Sequence, residues 1–319
     1  MMTPPTMNDV RAAEERVRVV GHRTPVVTCA ALDERAGRHL FFKCENLQKI
    51  GAFKIRGASN LILGLSDADA ARGVVTHSSG NHAQAVALAA RTRGIRAHVV
   101  MPANAPSVKR AAVEGYGAQV ITCEPVEAER RRVSEQVLEE TGGIFVPPFD
   151  HPQIVAGQAT AIAELLEDVP HLDAVVAPVG GGGLLSGACL AVQASQLPVK
   201  VFGAEPLGAD DAARSMEAGE RIPQTGPNTI ADGLLTSLSE LTWTIIRQGV
   251  ERVVTVEEDE IVAAMRLFWE RTKLIIEPSA AVAVAAVLGP AFRDLQDLPR
   301  VGVVLSGGNV DLRRLPWTT

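Results

Sequence analysis

Residues 174–199 read AVVAPVGGGGLLSGACLAVQASQLPV, a stretch without a charged side chain. Two structures could hold it. A lipid-spanning helix would carry Pro178 and the run Gly180-Gly181-Gly182-Gly183 in a medium that gives freed backbone groups no partner. A buried strand, a glycine turn and a helix avoid that cost. The second reading extends to the whole chain, because its pattern recurs on both sides. GVVTHSS reads as a strand and NHAQAVALAARTRG as a helix closing on Gly94. AHVVMP, APSVKRAAVEGYG, AQVITCEP and a helix through EAERRRVSEQVLEETGG continue the series. KVFGAEP follows the glycine-loop helix, and VGVVLS is the last clear strand before Gly307. Continuously apolar strands alternating with helices imply βαβ units and parallel sheets covered on both faces. Two such series in 319 residues predict an α/β protein of two doubly wound domains with mostly parallel sheets. A ligand cleft is expected at the carboxyl ends of the strands.

Composition agrees with a globular enzyme-sized chain. The 46% hydrophobic and 21% charged shares allow a sizeable core. A net charge of −6 gives no electrostatic reason to expect nucleic acid or an anionic membrane as partner. Cys29, Cys44, Cys123 and Cys189 form no C-x-x-C pair. That argues against zinc and against a disulfide framework, and it suits a reducing cytoplasm. The first twenty residues carry charges where an export signal needs an apolar segment.

Chemistry can be assigned to six places. Of six lysines, Lys54 lies in GAFKIRG among small and apolar neighbours, which suits a desolvated amine free for Schiff-base formation. A lysine beside Phe53 equally suits a snorkelling surface side chain. Gly180 to Gly183, between strand and helix, can bring free amides to a phosphate, or can be a plain turn. The loop lacks the Lys-Ser/Thr of a nucleotide P-loop. Ser78-Ser79-Gly80-Asn81-His82 offers hydroxyls and amides to a carboxylate, or an ordinary helix cap, with His82 reading as structural. Ser306 can present a hydroxyl to a ring nitrogen. Glu205 with Asp210-Asp211 can share a hard cation with carbonyls, or remain a solvated acidic loop. Arg130-Arg131-Arg132 reads as a solvated helix face from which one member can reach a substrate. An amine, a phosphate cup, a carboxylate turn and a hydroxyl for a heteroaromatic nitrogen are together what a pyridoxal phosphate enzyme requires.

The segments FFKCENLQKIGAFKIRGASN, HSSGNHAQA, PVGGGGLLSG, AEPLGADDAARS, TIADGL, EPSAAVAVAAVL and LSGGNVDL run from about His22 to Leu312. In the same order they resemble fold-type II (tryptophan synthase β-like) pyridoxal phosphate enzymes, in particular serine racemases and serine/threonine dehydratases. The resemblance implies that Lys54 carries pyridoxal 5′-phosphate, that Phe53 packs on its ring and that Asn81 bonds its phenolic oxygen. Gly180, Gly181, Gly182, Gly183 and Leu184 would hold the phosphate, and Ser306 would face the pyridine nitrogen. Ser78, Ser79, Asn81 and His82 would grip the substrate carboxylate, with Arg130 and Thr236 near the substrate. Glu205, Asp211 and the Ala209 carbonyl would bind magnesium or calcium. A small mobile domain (73–150) set into a large one (1–72 and 151–319) is implied, as are a homodimer and, through Gln84 and Tyr116, a nucleotide effector.

The implied activity is elimination of water and ammonia from L-serine or L-threonine, giving pyruvate or 2-oxobutyrate. Serine racemisation is added where Ser79 protonates the face opposite Lys54. PPFDHP around Phe149 looks more like the threonine dehydratases, and Ala83 departs from the glycine usual in serine racemases. Dehydration of threo-3-hydroxyaspartate and β-replacement on the same fold are the alternatives.

Overall fold

A computed structural model describes residues 2–317. Its strands are β1 (Val26–Val27), β2 (His39–Lys43), β3 (Val74–His77), β4 (Ala97–Pro102), β5 (Gln119–Cys123), β6 (Ile144–Phe145), β7 (Ala174–Pro178), β8 (Lys200–Pro206), β9 (Arg252–Val256) and β10 (Arg300–Val304). They form a six-stranded sheet, β1-β2-β10-β7-β8-β9, and a four-stranded sheet, β5-β4-β3-β6. Every pairing is parallel except β1 with β2. The alternation of apolar runs with helices predicts this architecture, and the structure has it.

Burial explains the strand compositions. All six residues of β4 and all five of β7 are buried, so neither strand keeps a polar face. In β7, Val175 and Ala177 join an apolar layer with Leu165, Leu185 and Ile246, while Ala174 and Val176 join another with Phe268 and Val282. Successive strand residues point to opposite faces, so both faces of this sheet are packed. The helix Pro278–Leu288 is buried at every position from Ser279 onward, and its alanines let it lie within the core.

Three helices that position the site meet through glycine. A Cβ added to Gly157 would lie 2.6 Å from the Gly57 Cα, and one on Gly187 would lie 2.7 Å from the Ala159 nitrogen. The helices Lys54–Leu63, Pro152–Asp168 and Gly183–Ser195 are therefore in backbone contact. The Lys54 helix and the glycine-loop helix thus share one rigid support. Among the described residues no helix is long and apolar enough to cross a membrane.

Candidate active site

Because the strands run parallel, the turns after β3, β7 and β10 lie at the carboxyl ends of their sheets. These turns carry Ser78–His82, Gly180–Gly183 and Ser306.

Lys54 opens its helix, and its Nζ donates to the Pro148 carbonyl at 2.9 Å. Burial lowers the amine to about 8, with the charge of Glu277 opposing the shift. Its neighbour Phe53 is fixed by backbone: the Phe53 N–H donates to the Ser306 carbonyl at 3.0 Å, and Ala52 bridges Gly307. The segments bearing Lys54 and Ser306 are thus laid side by side. Ser306 is buried, and its hydroxyl makes no hydrogen bond among the described residues.

Two residues beyond Lys54, Arg56 anchors the helix. It is fully buried, and its Nε and Nη2 donate to both oxygens of Glu45 at 2.7 and 2.8 Å. Nη1 and Nη2 donate to both oxygens of Glu164 at 2.9 and 2.8 Å, and Nη1 also reaches the Thr160 hydroxyl. Lys43, equally buried, adds an ion pair to Glu164 at 2.8 Å. Such a network is costly to desolvate, so removing one member leaves unpaired charge and destabilises strongly.

The glycine loop meets the requirement for an anion. Gly180 to Leu184 are all buried, yet none of their N–H groups has an acceptor among the described residues. Buried amides without partners are rare, and a phosphate placed at this helix start would satisfy them. The loop has no room for side chains: a Cβ at Gly181 would lie 2.3 Å from the Phe149 ring, and Gly182 has φ +86°. Around Ser79 the amides of Ser79, Asn81 and His82 are likewise without acceptors, while the Gly80 N–H donates to the Ser78 hydroxyl at 3.3 Å. His82 is buried with Nε2 on the Val146 carbonyl at 2.9 Å, and burial holds its pKa down at about 3. It is a neutral brace.

Asn81, which the resemblance expects at a cofactor oxygen, is held by two polar side chains. Its amide donates to Glu277 at 2.9 Å, and its carbonyl accepts from Asn309 at 2.9 Å. Glu277, which sequence reasoning passes over, is therefore a site residue. Burial, reinforced by Asp232, pushes its carboxyl up to about 7. The available signal was a lone acid preceding Pro278 in an otherwise apolar run, which reads locally as no more than a helix cap. A second contact joining the two sheet systems is Lys109 Nζ with Asp232 at 2.8 Å.

Glu205 and Asp211 are 0% and 1% exposed, so this is not a solvated loop; Glu205 belongs to β8. Glu205 accepts the Ala212 and Ala213 amides at 3.1 and 2.9 Å, and Asp211 Oδ2 accepts the Leu238 amide at 3.0 Å. Asp211 Oδ1 is buried without a partner. Burial pushes the two carboxyls up to about 8 and about 6. Among the described residues no three His, Cys, Asp or Glu side chains gather as a metal cluster, but the orphaned oxygen fits a hard cation completed by carbonyls such as that of Ala209. Arg130 is half-buried and its guanidinium has no partner among the described residues, whereas Arg131 and Arg132 pair with Glu127 and Glu129. Thr236 is exposed.

An uncovered anion cup and a low-pKa amine at the carboxyl ends of parallel strands define a coenzyme-binding α/β enzyme. Residues 17–307 match the family described as "Pyridoxal-phosphate dependent enzyme", and the chain belongs to it. It is 49% identical to a serine racemase of Dictyostelium discoideum, over 98% of this chain and 97% of that protein. It is 48% identical to a beta-hydroxyaspartate dehydratase of Paracoccus denitrificans, over 98% and 99%. The solved Dictyostelium serine racemase superposes with a TM-score of 0.93, covering 97% of this chain and 99% of that one. A solved threonine deaminase from T.th. gives a TM-score of 0.90 at 43% identity, covering 96% and 99%. Dependence on pyridoxal phosphate follows from family membership.

Proposed function

We propose that the protein eliminates water and ammonia from small β-hydroxy amino acids, L-serine and L-threonine first, and also racemises serine. The observation that carries this reading is the backbone pairing of the Lys54 segment with that of Ser306, which sets a desolvated amine beside a neutral hydroxyl. When bound, the cofactor supplies an electrophilic carbonyl and an electron sink. Lys54 anchors it and then, once displaced by the substrate amine, takes the α-proton; its lowered pKa leaves a usable neutral fraction near pH 8. Ser306 cannot offer the ring nitrogen the full charge of a carboxylate. Charge at the α-carbon is then less stabilised, and departure of the β-hydroxyl is favoured. Phe53 would cover the ring, and the unpartnered amides of Gly180 to Leu184 would hold the phosphate. Ser78, Ser79 and the free amides of Asn81 and His82 orient the substrate carboxylate, with Thr236 beside it. The Ser79 hydroxyl returns a proton on the opposite face in racemisation.

In this reading residues 73–150 close over the substrate, Glu205, Asp211 and the Ala209 carbonyl hold magnesium or calcium, and two chains form a homodimer. A nucleotide binds near Gln84 and Tyr116, and the enzyme works in the cytoplasm. The unpaired Arg130 guanidinium favours one alternative substrate, 3-hydroxyaspartate, whose second carboxylate it would neutralise. The test is a keto-acid and chiral-product assay on serine, threonine and 3-hydroxyaspartate, with and without magnesium. Keto acid formed without a second substrate is expected. Product only when an external nucleophile is added would replace this reading with β-replacement.

A further inference from the structure

A cavity of about 230 Å³ lies away from the glycine loop, where the chain crosses between the two sheet systems; Arg16, Leu61, Leu65, Phe145, His151 and Gln153 line it. Leu61 and Leu65 belong to the crossing into the four-stranded sheet, Phe145 ends its strand β6, and His151 lies in the crossing out of it.

The cavity has one charged wall. Arg16 Nη1 donates to Asn60 Oδ1 at 3.0 Å and Gln153 Oε1 at 3.4 Å, which fixes the guanidinium. Its Nε and Nη2 have no acceptor, and no carboxylate pairs with it among the described residues. His151 Nδ1 accepts the Gln153 N–H at 3.1 Å, which puts the ring proton on Nε2, a second donor without a partner. No acidic side chain lines the space. Gln153 aside, the remaining surface is apolar, from Leu61, Leu65, Ile144 and Phe145. Sites for drug-sized ligands run at about 300–1,000 Å³, so this one suits a smaller molecule.

We infer that this cavity binds a small monocarboxylate with a short aliphatic tail. The carboxylate meets the open edge of Arg16 and the His151 N–H, and the tail lies against Leu61, Leu65 and Phe145. The occupant acts on the site through one short segment. Val146, next to Phe145, accepts from His82, and Pro148 accepts from Lys54. A ligand pressing on Phe145 therefore bears on the backbone that holds the reactive amine.

The test is calorimetric titration of the full-length holoenzyme with isovalerate, using isopentylamine as the same tail with opposite charge. One equivalent of isovalerate should bind, and isopentylamine should not. Arg16→Met, which removes the charge, and Leu65→Trp, which fills the space, should each weaken binding at least tenfold while keeping the wild-type circular dichroism. Both side chains are half-exposed, so neither change strains the core. Ser79→Ala should leave the affinity unchanged. Absence of saturable binding, or loss in Ser79→Ala with Arg16→Met unaffected, would overturn the inference; in the second case the anion sits on the substrate loop. The readout is heat of binding, so it does not depend on which reaction the enzyme catalyses.

Discussion

An amine held near 8 and a carboxyl held near 7 sit in one buried site, and the charge of Glu277 supports the ammonium of Lys54. Replacing Lys54 by alanine should remove the cofactor-dependent visible absorbance and lower kcat/KM by about 10³-fold, the scale of a lost general base. A coloured, active variant would rule Lys54 out. Ser79→Ala should suppress racemisation while sparing elimination from the L-substrate, read as the ratio of D-serine to pyruvate. An equal fall in both products would make Ser79 a positioning group only. Glu277 gives a pH prediction with a definite sign. Its carboxyl rises from an ordinary 4.5 to about 7, so the folded chain holds the proton more tightly than the unfolded one. The resulting stabilisation is complete below about pH 4.5 and is lost as pH climbs through 7. Glu277→Gln should therefore raise Tm over wild type more at pH 8 than at pH 5. It should also move the acidic limb set by Lys54 to lower pH, because the charge that supports the ammonium is gone. A pH-independent Tm difference would show that this carboxyl does not titrate as described.

The elements that carry the site differ in how clearly the sequence announces them. β4, β7 and β10 are legible because both faces are buried and, His98 and Arg300 apart, every residue is apolar or small. β1 and β6 are two residues long, too short for any periodicity, and β2 ends in Lys43, a charge that suggests surface until Glu164 is found beside it. The anion cup was readable from four glycines, but their tightness was not, since Phe149 arrives from a distant segment, ahead of the helix Pro152–Asp168. That contact yields a test. Gly181→Ala drives a Cβ into the Phe149 ring and should weaken cofactor affinity at least tenfold, measured by fluorescence titration of the apoprotein. Phe149→Leu in the same chain should recover part of the loss; no recovery would place the effect in the backbone instead. Glu277 and the buried state of Glu205 escaped the sequence for a common reason: whether an acid is solvated depends on what packs over it from distant segments.

At the scale of the molecule, polar contacts between the two sheet systems include Asn81 with Glu277 and Asn309, and Lys109 with Asp232. An exposed pair of the second kind contributes only about 0–1 kcal/mol. At Glu205 and Asp211 burial makes both carboxyls costly to ionise, a cost that a bound cation would offset. Magnesium or calcium at about 100 times its Kd should stabilise the fold by about 2.7 kcal/mol, a rise of several degrees in Tm by calorimetry. Asp211→Ala should show no such rise, and an identical response in both proteins would return this segment to a purely structural role. The unpartnered amides of Gly180 to Leu184 carry a wider consequence. A chain emptied of its coenzyme keeps five donors buried with nothing to satisfy them, and opens more readily for it. Scarcity of the vitamin would then be felt twice: as idle catalyst, and as a shorter lifetime for a protein that proteases find half undone.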